Sequence, residues 1–135
     1  MENCIFCKII KKEIPSIKVY EDKETLAFLD INPINYGHIL VVPKTHSENL
    51  LGMKEKDMNA VIKTAQKTAN AIMKGLKADG FNIGMNNYHA AGQVVMHSHL
   101  HVIPRFKNDG LRHWPGKKYP ENSDKETAEK LRKIL

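Results

Sequence analysis

Between residues 54 and 77 the apolar positions fall at helical spacing. Met58, Ile62, Ala65, Ala69, Ile72 and Leu76 are separated by four, three, four, three and four residues. This forms one stripe along about five turns of helix, and Asp79-Gly80 supplies the stop and turn. On either side of this segment the pattern shortens to strand period. "SIKVYED" and "ETLAFLD" are rich in β-branched and aromatic residues and parted by Asp22 and Lys23, which predicts a hairpin. "INPINYG" is punctuated by Pro33 and Gly37 and reads as a loop. A strand from His38 to Val42 follows, and Pro43 ends its hydrogen-bonding register. "FNIGMN" predicts another strand, with Phe81, Ile83 and Met85 on one face. Two short helices complete the reading, one over residues 4–12 and one near the C-terminus, where Ser123 and Glu126 have capping-box spacing ahead of Ala128, Leu131 and Leu135. Only one helix lies between strands, so the order favours an α+β domain with an antiparallel sheet over a doubly wound parallel one.

The most informative alternation runs from Val94 to Ile103. In a strand, Val94, Met96, Ser98, Leu100 and Val102 point one way and cover the core. Val95, His97, His99, His101 and Ile103 point the other way, placing three imidazoles in one stripe at roughly 6.5–7 Å intervals. A lone histidine on a strand is ordinary surface. Three at every second position, with apolar neighbours on the same face, are a poor way to fill a surface and a good way to bind a metal or move a proton near pH 7. Ser98 falls on the core face, where its hydroxyl needs a local partner.

Composition narrows the class. At 135 residues with 41% hydrophobic and 27% charged positions, the chain fits one globular domain and no disordered one. No run approaches the roughly 20 apolar residues of a membrane span. "MENCIFCKII" carries Glu2 and no basic leader, so the cytoplasm is the expected compartment. Net charge is +6, and residues 107–135 hold eight Lys/Arg against five Asp/Glu. That surplus is interleaved with acids, as on a solvated surface. The chain lacks the basic–aromatic interleaving that stacks bases, so no specific nucleic-acid partner is expected. Arg105 fits a phosphate partner or plain surface equally well.

The only two cysteines, Cys4 and Cys7, have C-x-x-C spacing. No strand precedes them, which disfavours a thioredoxin-like redox pair and leaves a metal site or two unrelated thiols. The spacing suits two thiolates on one zinc, and two histidines would complete a closed tetrahedral site. Sequence order does not say which two. Gly92-Gln93 precedes the histidine run, and a glycine there permits a sharp turn or close backbone approach to a ligand. The P-loop pattern is absent, so nucleotide binding needs another scheme.

"HSHLHV" matches the His-x-His-x-His motif of the histidine-triad (HIT) family of nucleotide hydrolases and transferases. "CIFCKIIKKEIP", "AFLDINPINYGHILVVPKTH" and "GMNNYHAAGQVVMHSHLHVIPR" resemble family segments in the right order, and "NDGLRHWPGKKYP" is similar to the tails of microbial members. The nearest branch is that of the small purine-nucleoside phosphoramidase-like proteins. The resemblance implies an α+β, five-stranded antiparallel sheet, extended across a homodimer. It also implies a single domain over residues 1–135, with 107–135 as a C-terminal extension.

Carried over by position, the resemblance makes His99 the nucleophile at the α-phosphorus, with His101 and His38 as supporting histidines and Gln93 near the bond to the leaving group. Asn86 corresponds to a phosphate-side amide, Asp30 to the carboxylate on the ribose hydroxyls, and Phe28 and Ile31 to apolar walls of the base pocket. Cys4, Cys7, His46 and His97 correspond to the ligands of a structural zinc, which makes His97 structural despite its place in the stripe. His113 and Trp114 resemble an element that in some relatives reaches the partner's site; His89 has no assigned role. The implied activity is release of AMP or GMP from nucleoside 5′-phosphate derivatives such as phosphoramidates. The alternatives are cleavage of dinucleoside polyphosphates and a nucleotide-binding regulatory module with negligible turnover.

Overall fold

The structure, a computed structural model, describes residues 3–135. The leader reading at Met1 and Glu2 therefore lies outside the described residues. Helix α1 spans Ile5–Ile10. Strands β1 (Lys18–Glu21), β2 (Thr25–Leu29) and β3 (Ile39–Pro43) follow, then the long helix α2 (Glu55–Gly75). Strands β4 (Gly80–Gly84) and β5 (Leu100–Arg105) come next, and helix α3 (Ser123–Arg132) ends the order. The five strands form one antiparallel sheet in the order β1-β2-β3-β5-β4. Among the described residues no helix is long and apolar enough to cross a membrane.

Alternation along β2, β3 and β5 builds two different faces. Ala27, Ile39, Val41, Leu100 and Val102 pack against Val61, Ala65, Ala69 and Ile72 of α2. Leu26, Phe28, Leu40 and Val42 point the other way and pack against Phe6 of α1. His101 sits opposite Leu40 in the β3–β5 register and so belongs to the α1 side of the sheet. Strands β2 and β3 are buried on both faces, which explains their unbroken apolar runs.

Several expectations need correction. The histidine run is not one strand: β5 begins at Leu100, and His97 and His99 lie in the irregular approach to it. The period-two reading holds where the ladder exists, with Leu100 and Val102 buried and His101 and Ile103 half-buried. The buried stripe of α2 is centred on Val61, Thr64, Ala65, Thr68, Ala69 and Ile72, and Ile62 and Leu76 are largely exposed. The two threonines are hidden from a hydrophobic count because their hydroxyls are satisfied locally. Thr64 Oγ1 pairs with Thr25 Oγ1 at 2.7 Å, and Thr68 Oγ1 donates to Thr64 O at 3.0 Å. Phe81 and Ile83, on the outermost strand, stay 43% and 39% exposed, and Met85 falls outside β4. The capping box at Ser123 does not form. Asn122 is the N-cap, Ser123 Oγ donates to Pro120 O instead, and α3 buries none of its residues.

Candidate functional site

Two clusters of side chains flank α1. The first gathers Cys4, Cys7, His46 and His97, whose ligand atoms all lie within 4.8 Å of one another. Cys4 is the N-cap of α1, where its Sγ accepts the Cys7 N–H, so both thiols leave the helix at its first turn. His46 follows β3 by three residues. The separations are 3.4 Å for Cys4 Sγ to His97 Nδ1, 3.4 Å for Cys7 Sγ to His46 Nδ1, 3.5 Å for Cys7 Sγ to His97 Nδ1 and 3.2 Å between the two Nδ1 atoms. A tetrahedron with zinc–sulfur bonds of about 2.3 Å and zinc–nitrogen bonds of about 2.05 Å has N–N edges of about 3.3 Å and S–N edges of about 3.6 Å. The four atoms therefore already have the size of such a cage.

The orientation of His97 fits the same use. Its Nε2–H donates to Pro43 O at 2.8 Å, which turns the Nδ1 lone pair toward the thiols. Burial pushes the Cys7 thiol up to about 11, with Cys4 adding to the effect. A cation is what would bring such a thiol to the thiolate form. Ser98, between the two site histidines, finds the partner it needs: its N–H donates to Ser47 O, and the two hydroxyls lie 2.7 Å apart.

The second cluster is His38, His99 and His101, with Asp30 at its edge. His99 is 6% exposed, and its ring packs edge-on against Phe6 at 5.1 Å and against His101 at 5.0 Å. Burial holds His38, His99 and His101 below the ordinary histidine value, His101 down to about 4. All three are neutral at pH 7, so each ring carries one proton, and the partners assign its place. His99 Nδ1 lies 2.6 Å from His97 O, which can only accept, so Nδ1 holds the proton and Nε2 keeps a lone pair. His38 Nδ1 accepts the Ile34 N–H at 3.2 Å, so its proton is on Nε2 and is donated to His101 Nδ1 at 2.9 Å. His101 is thereby left with its proton on Nε2, which is buried and unpartnered among the described residues. The cluster thus offers one lone pair and one N–H donor on adjacent rings.

The remaining site candidates divide. Asp30 Oδ2 is 3.8 Å from His38 Nε2, and its other oxygen accepts the Asn32 N–H. Phe28 is buried and meets Phe6 edge-on at 5.5 Å, whereas Ile31 is 91% exposed on the loop after β2. Asn86 Nδ2 is 3.4 Å from Gly92 O. Gln93 sends no hydrogen bond to the histidines. It is buried, and its amide ties together its own loop by donating to Glu48 O and Val95 O and accepting the Tyr88 N–H. A glutamine beside a ligand-approaching glycine reads the same in sequence whether it faces ligand or loop. A cleft of about 650 Å³ opens on the far side of His101, lined by Ile34, Asn86, Ile103, Arg112 and Trp114 among others. Its volume suits a nucleotide-sized ligand, but of the candidate site residues it brings in only Asn86 and His101, and His99, Asp30, Phe28 and Ile31 do not line it.

Sequence reasoning missed Phe6, whose ring touches both His97 and His99 (centroids 6.0 and 5.1 Å) and links the two clusters. The signal was its place between Cys4 and Cys7. Two thiols gathered beside His97 bring the intervening residue onto the histidines.

An α+β sheet with three neutral imidazoles beside a Cys₂His₂ cluster defines a class of small histidine-rich domains. The HIT domain family model matches residues 11–108, and the chain belongs to the HIT family. An uncharacterized HIT-like protein of Borreliella burgdorferi is 56% identical over 115 residues, covering 82% of this chain and 81% of the relative. Adenylylsulfatase HINT3 of Arabidopsis thaliana is 40% identical over 130 residues, 94% of this chain and 65% of that protein. Among solved structures, SMU.412c from Streptococcus mutans superposes with a TM-score of 0.92 at 42% identity, covering 99% of this chain and 86% of that one. A zinc-bound histidine triad family protein from Mycobacterium smegmatis does so with a TM-score of 0.80 at 36% identity, covering 99% of each.

Proposed function

We propose that the chain is a nucleotide hydrolase or transferase that acts at the α-phosphorus of nucleoside 5′-phosphate derivatives, phosphoramidates foremost, through a nucleotidyl-histidine intermediate. The observation that carries this reading is the His99 tautomer: its Nδ1–H is committed to His97 O, and its Nε2 lone pair is free. In the first step His99 Nε2 forms a bond to phosphorus while the bond from phosphorus to the leaving group breaks. The ring gains positive charge as this happens, and the short contact of Nδ1–H to a carbonyl strengthens with it. His101 Nε2–H donates a hydrogen bond to the departing group, which takes its proton from solvent as it leaves, and His38 holds His101 in the donor tautomer. Water then attacks phosphorus and loses a proton to solvent, the P–N bond to His99 breaks, and AMP or GMP leaves. Splitting one difficult displacement into two is the usual advantage of a covalent route.

Asp30 would accept from the ribose hydroxyls, Phe28 and Ile31 would contact the base, and Asn86 would face the phosphate. Gln93 joins them once one of its loop bonds is exchanged for ligand. Cys4, Cys7, His46 and His97 would hold a structural zinc that ties α1 to the histidine segment. The zinc-bound relative supports this, as does the cage size. We read residues 107–135 as an extension of one domain, and the active form as a homodimer joined through β4, in the cytoplasm. The relative named as an adenylylsulfatase supports a substrate in which a leaving group is carried on an adenylyl phosphate.

Mass spectrometry of the protein mixed with adenosine 5′-phosphoramidate tests the proposal. An adenylyl adduct on His99, lost with turnover in His99→Ala, is the expected result. No adduct, and unchanged turnover in that variant, would reject it. Dinucleoside polyphosphates pass through the same steps, and kcat/KM for the two substrate types separates them. Tight AMP binding without turnover on either would leave the regulatory module.

A further inference from the structure

Asp109 is the most heavily used carboxylate among the described residues, and the catalytic scheme above does not include it. It lies just beyond β5, its side chain only 8% exposed. Its two oxygens accept Arg105 Nε and Nη2 at 2.8 and 3.2 Å, the Phe106 N–H at 3.1 Å, the Leu111 N–H at 3.0 Å and Asn35 Nδ2 at 3.2 Å. Ion pairing and these backbone donors hold it well below the usual carboxylate range, so it is ionised throughout. A surface ion pair needs one partner; five donors from three segments make this carboxylate a junction.

The segment reached through Asn35 is the one that governs His38. Asn35 Nδ2 also donates to Pro104 O at 2.8 Å, so its amide clamps the loop before β3 onto the end of β5. Asn35 O in turn accepts the His38 N–H at 3.0 Å, closing a turn over residues 35–38 with Gly37 at φ +98°. That turn presents the Ile34 N–H to His38 Nδ1. On its other side Asp109 fixes Leu111, whose carbonyl accepts Arg105 Nη2 at 3.3 Å. Leu111, Arg112 and Trp114 then line the cleft beyond His101.

We infer that Asp109 and Asn35 are positioning residues that hold the His38–His101 pair in its donor tautomer and fix one wall of the cleft beside it. The catalytic meaning of this inference rests on the reading of His101 as hydrogen-bond donor to the departing group; the tautomer itself does not. The backbone N–H at His38 Nδ1 is the group hydrogen-bonded to that nitrogen, and it acts together with the Asp30 carboxylate 3.8 Å from Nε2 to keep the proton on Nε2. If the turn slackens, His38 can place its proton on either nitrogen, and His101 loses its unique Nε2–H form.

The test is ¹⁵N NMR of the imidazoles in the full chain, with kinetics on the phosphoramidate, for Asn35→Ala and Asp109→Asn. The wild type should show His38 and His101 each protonated at Nε2 alone. Both variants should show mixed tautomers at His38 and His101 and an unchanged His99. With them kcat should fall about tenfold, part of what a positioned hydrogen-bond donor at developing charge contributes, while KM stays within about threefold. Thr64→Val, which loses the Thr25 hydroxyl partner far from the turn, controls for stability. It should lower Tm without touching the tautomers. Wild-type tautomers and kcat within about twofold in folded Asn35→Ala and Asp109→Asn would overturn the inference. If both variants fail to fold, spectra of Asn35→Ser, which stays polar and uncharged but is too short to keep both Nδ2 bonds, decide by the same criterion. A wild type with the stated tautomers but no turnover would sink the proposed function and leave this inference standing.

Discussion

The imidazoles of the site differ only in what their second nitrogen touches. His97 donates from Nε2 to Pro43 O and presents Nδ1, whereas His99 donates from Nδ1 to His97 O and presents Nε2. Opposite tautomers on neighbouring members of one motif turn one lone pair toward the cysteine thiols and leave the other free, as the proposed zinc-ligand and nucleophile roles require. Burial lowers the pKa of His38 and His101, and the sign of the consequence follows. His38 and His101 stay neutral in the fold while the unfolded chain takes up protons below about pH 6.5. Between about pH 6.5 and 4, the value for folded His101, the unfolded state binds more protons and stability falls as pH falls. Above that window the contribution is fully present. Urea midpoints should therefore decline from pH 7 to pH 5 and recover in His101→Asn, and the acid limb of kcat/KM should lie below pH 6.5. A limb at or above 6.5 would contradict burial as the governing effect. Which histidine does which task was legible only through the family motif. Spacing placed all three on one stripe, but tautomers depend on carbonyls of Pro43 and His97 that no residue pattern announces.

At the scale of elements, α1 and the turn before β3 set the site. Helix α1 has six residues and little intrinsic stability. It is held by Phe6 in the second core and by Cys4 and Cys7 beside His46 and His97. Removing the proposed zinc should thus free the helix and, through Phe6, the His99 ring. Chelation is expected to lower Tm by on the order of 5 °C or more, and to cut turnover, with both restored by zinc. Cys4→Ser should reproduce the loss and resist rescue. Unchanged Tm on complete metal removal, checked by elemental analysis, would show the cage to be incidental. The turn offers a second trial. Gly37 has φ +98°, and a Cβ there would sit 2.3 Å from Leu76 Cδ1. Gly37→Ala should cost about 1–2 kcal/mol from the backbone alone and disturb His38 directly after it, read by denaturation and by kcat together. The hairpin and α2 were readable in extent from their residue patterns, although the buried face of α2 is shifted from the predicted stripe and leaves Ile62 and Leu76 exposed. The irregular stretch at His97 and His99 was not, because hydrogen bonds to the carbonyls of Pro43 and His97 and packing on Phe6, and not ladder bonds, position those rings.

Viewed whole, the sheet has two edges. Strands β2, β3 and β5 are paired on both sides, whereas β1 and β4 each leave one side unpaired. Of the two, β4 carries the pair of large apolar side chains Phe81 and Ile83, both half-exposed. An apolar free edge invites pairing with another strand. The sequence suggested this only indirectly. The alternation of "FNIGMN" implied a buried face, and within one protomer that burial is missing. The proposed homodimer supplies it by pairing β4 with β4, which would also bring the exposed Trp114 of each chain near the junction. Sedimentation equilibrium at tens of micromolar should give twice the protomer mass. Phe81→Lys with Ile83→Lys should shift the protein toward monomer, because two charges desolvated at a strand-strand seam are costly. If the wild type sediments as a monomer, the dimer reading fails and the half-exposed edge needs another occupant. If the double variant becomes monomeric yet keeps its kcat, each protomer's site is complete without its partner, and Trp114 acts only within its own chain.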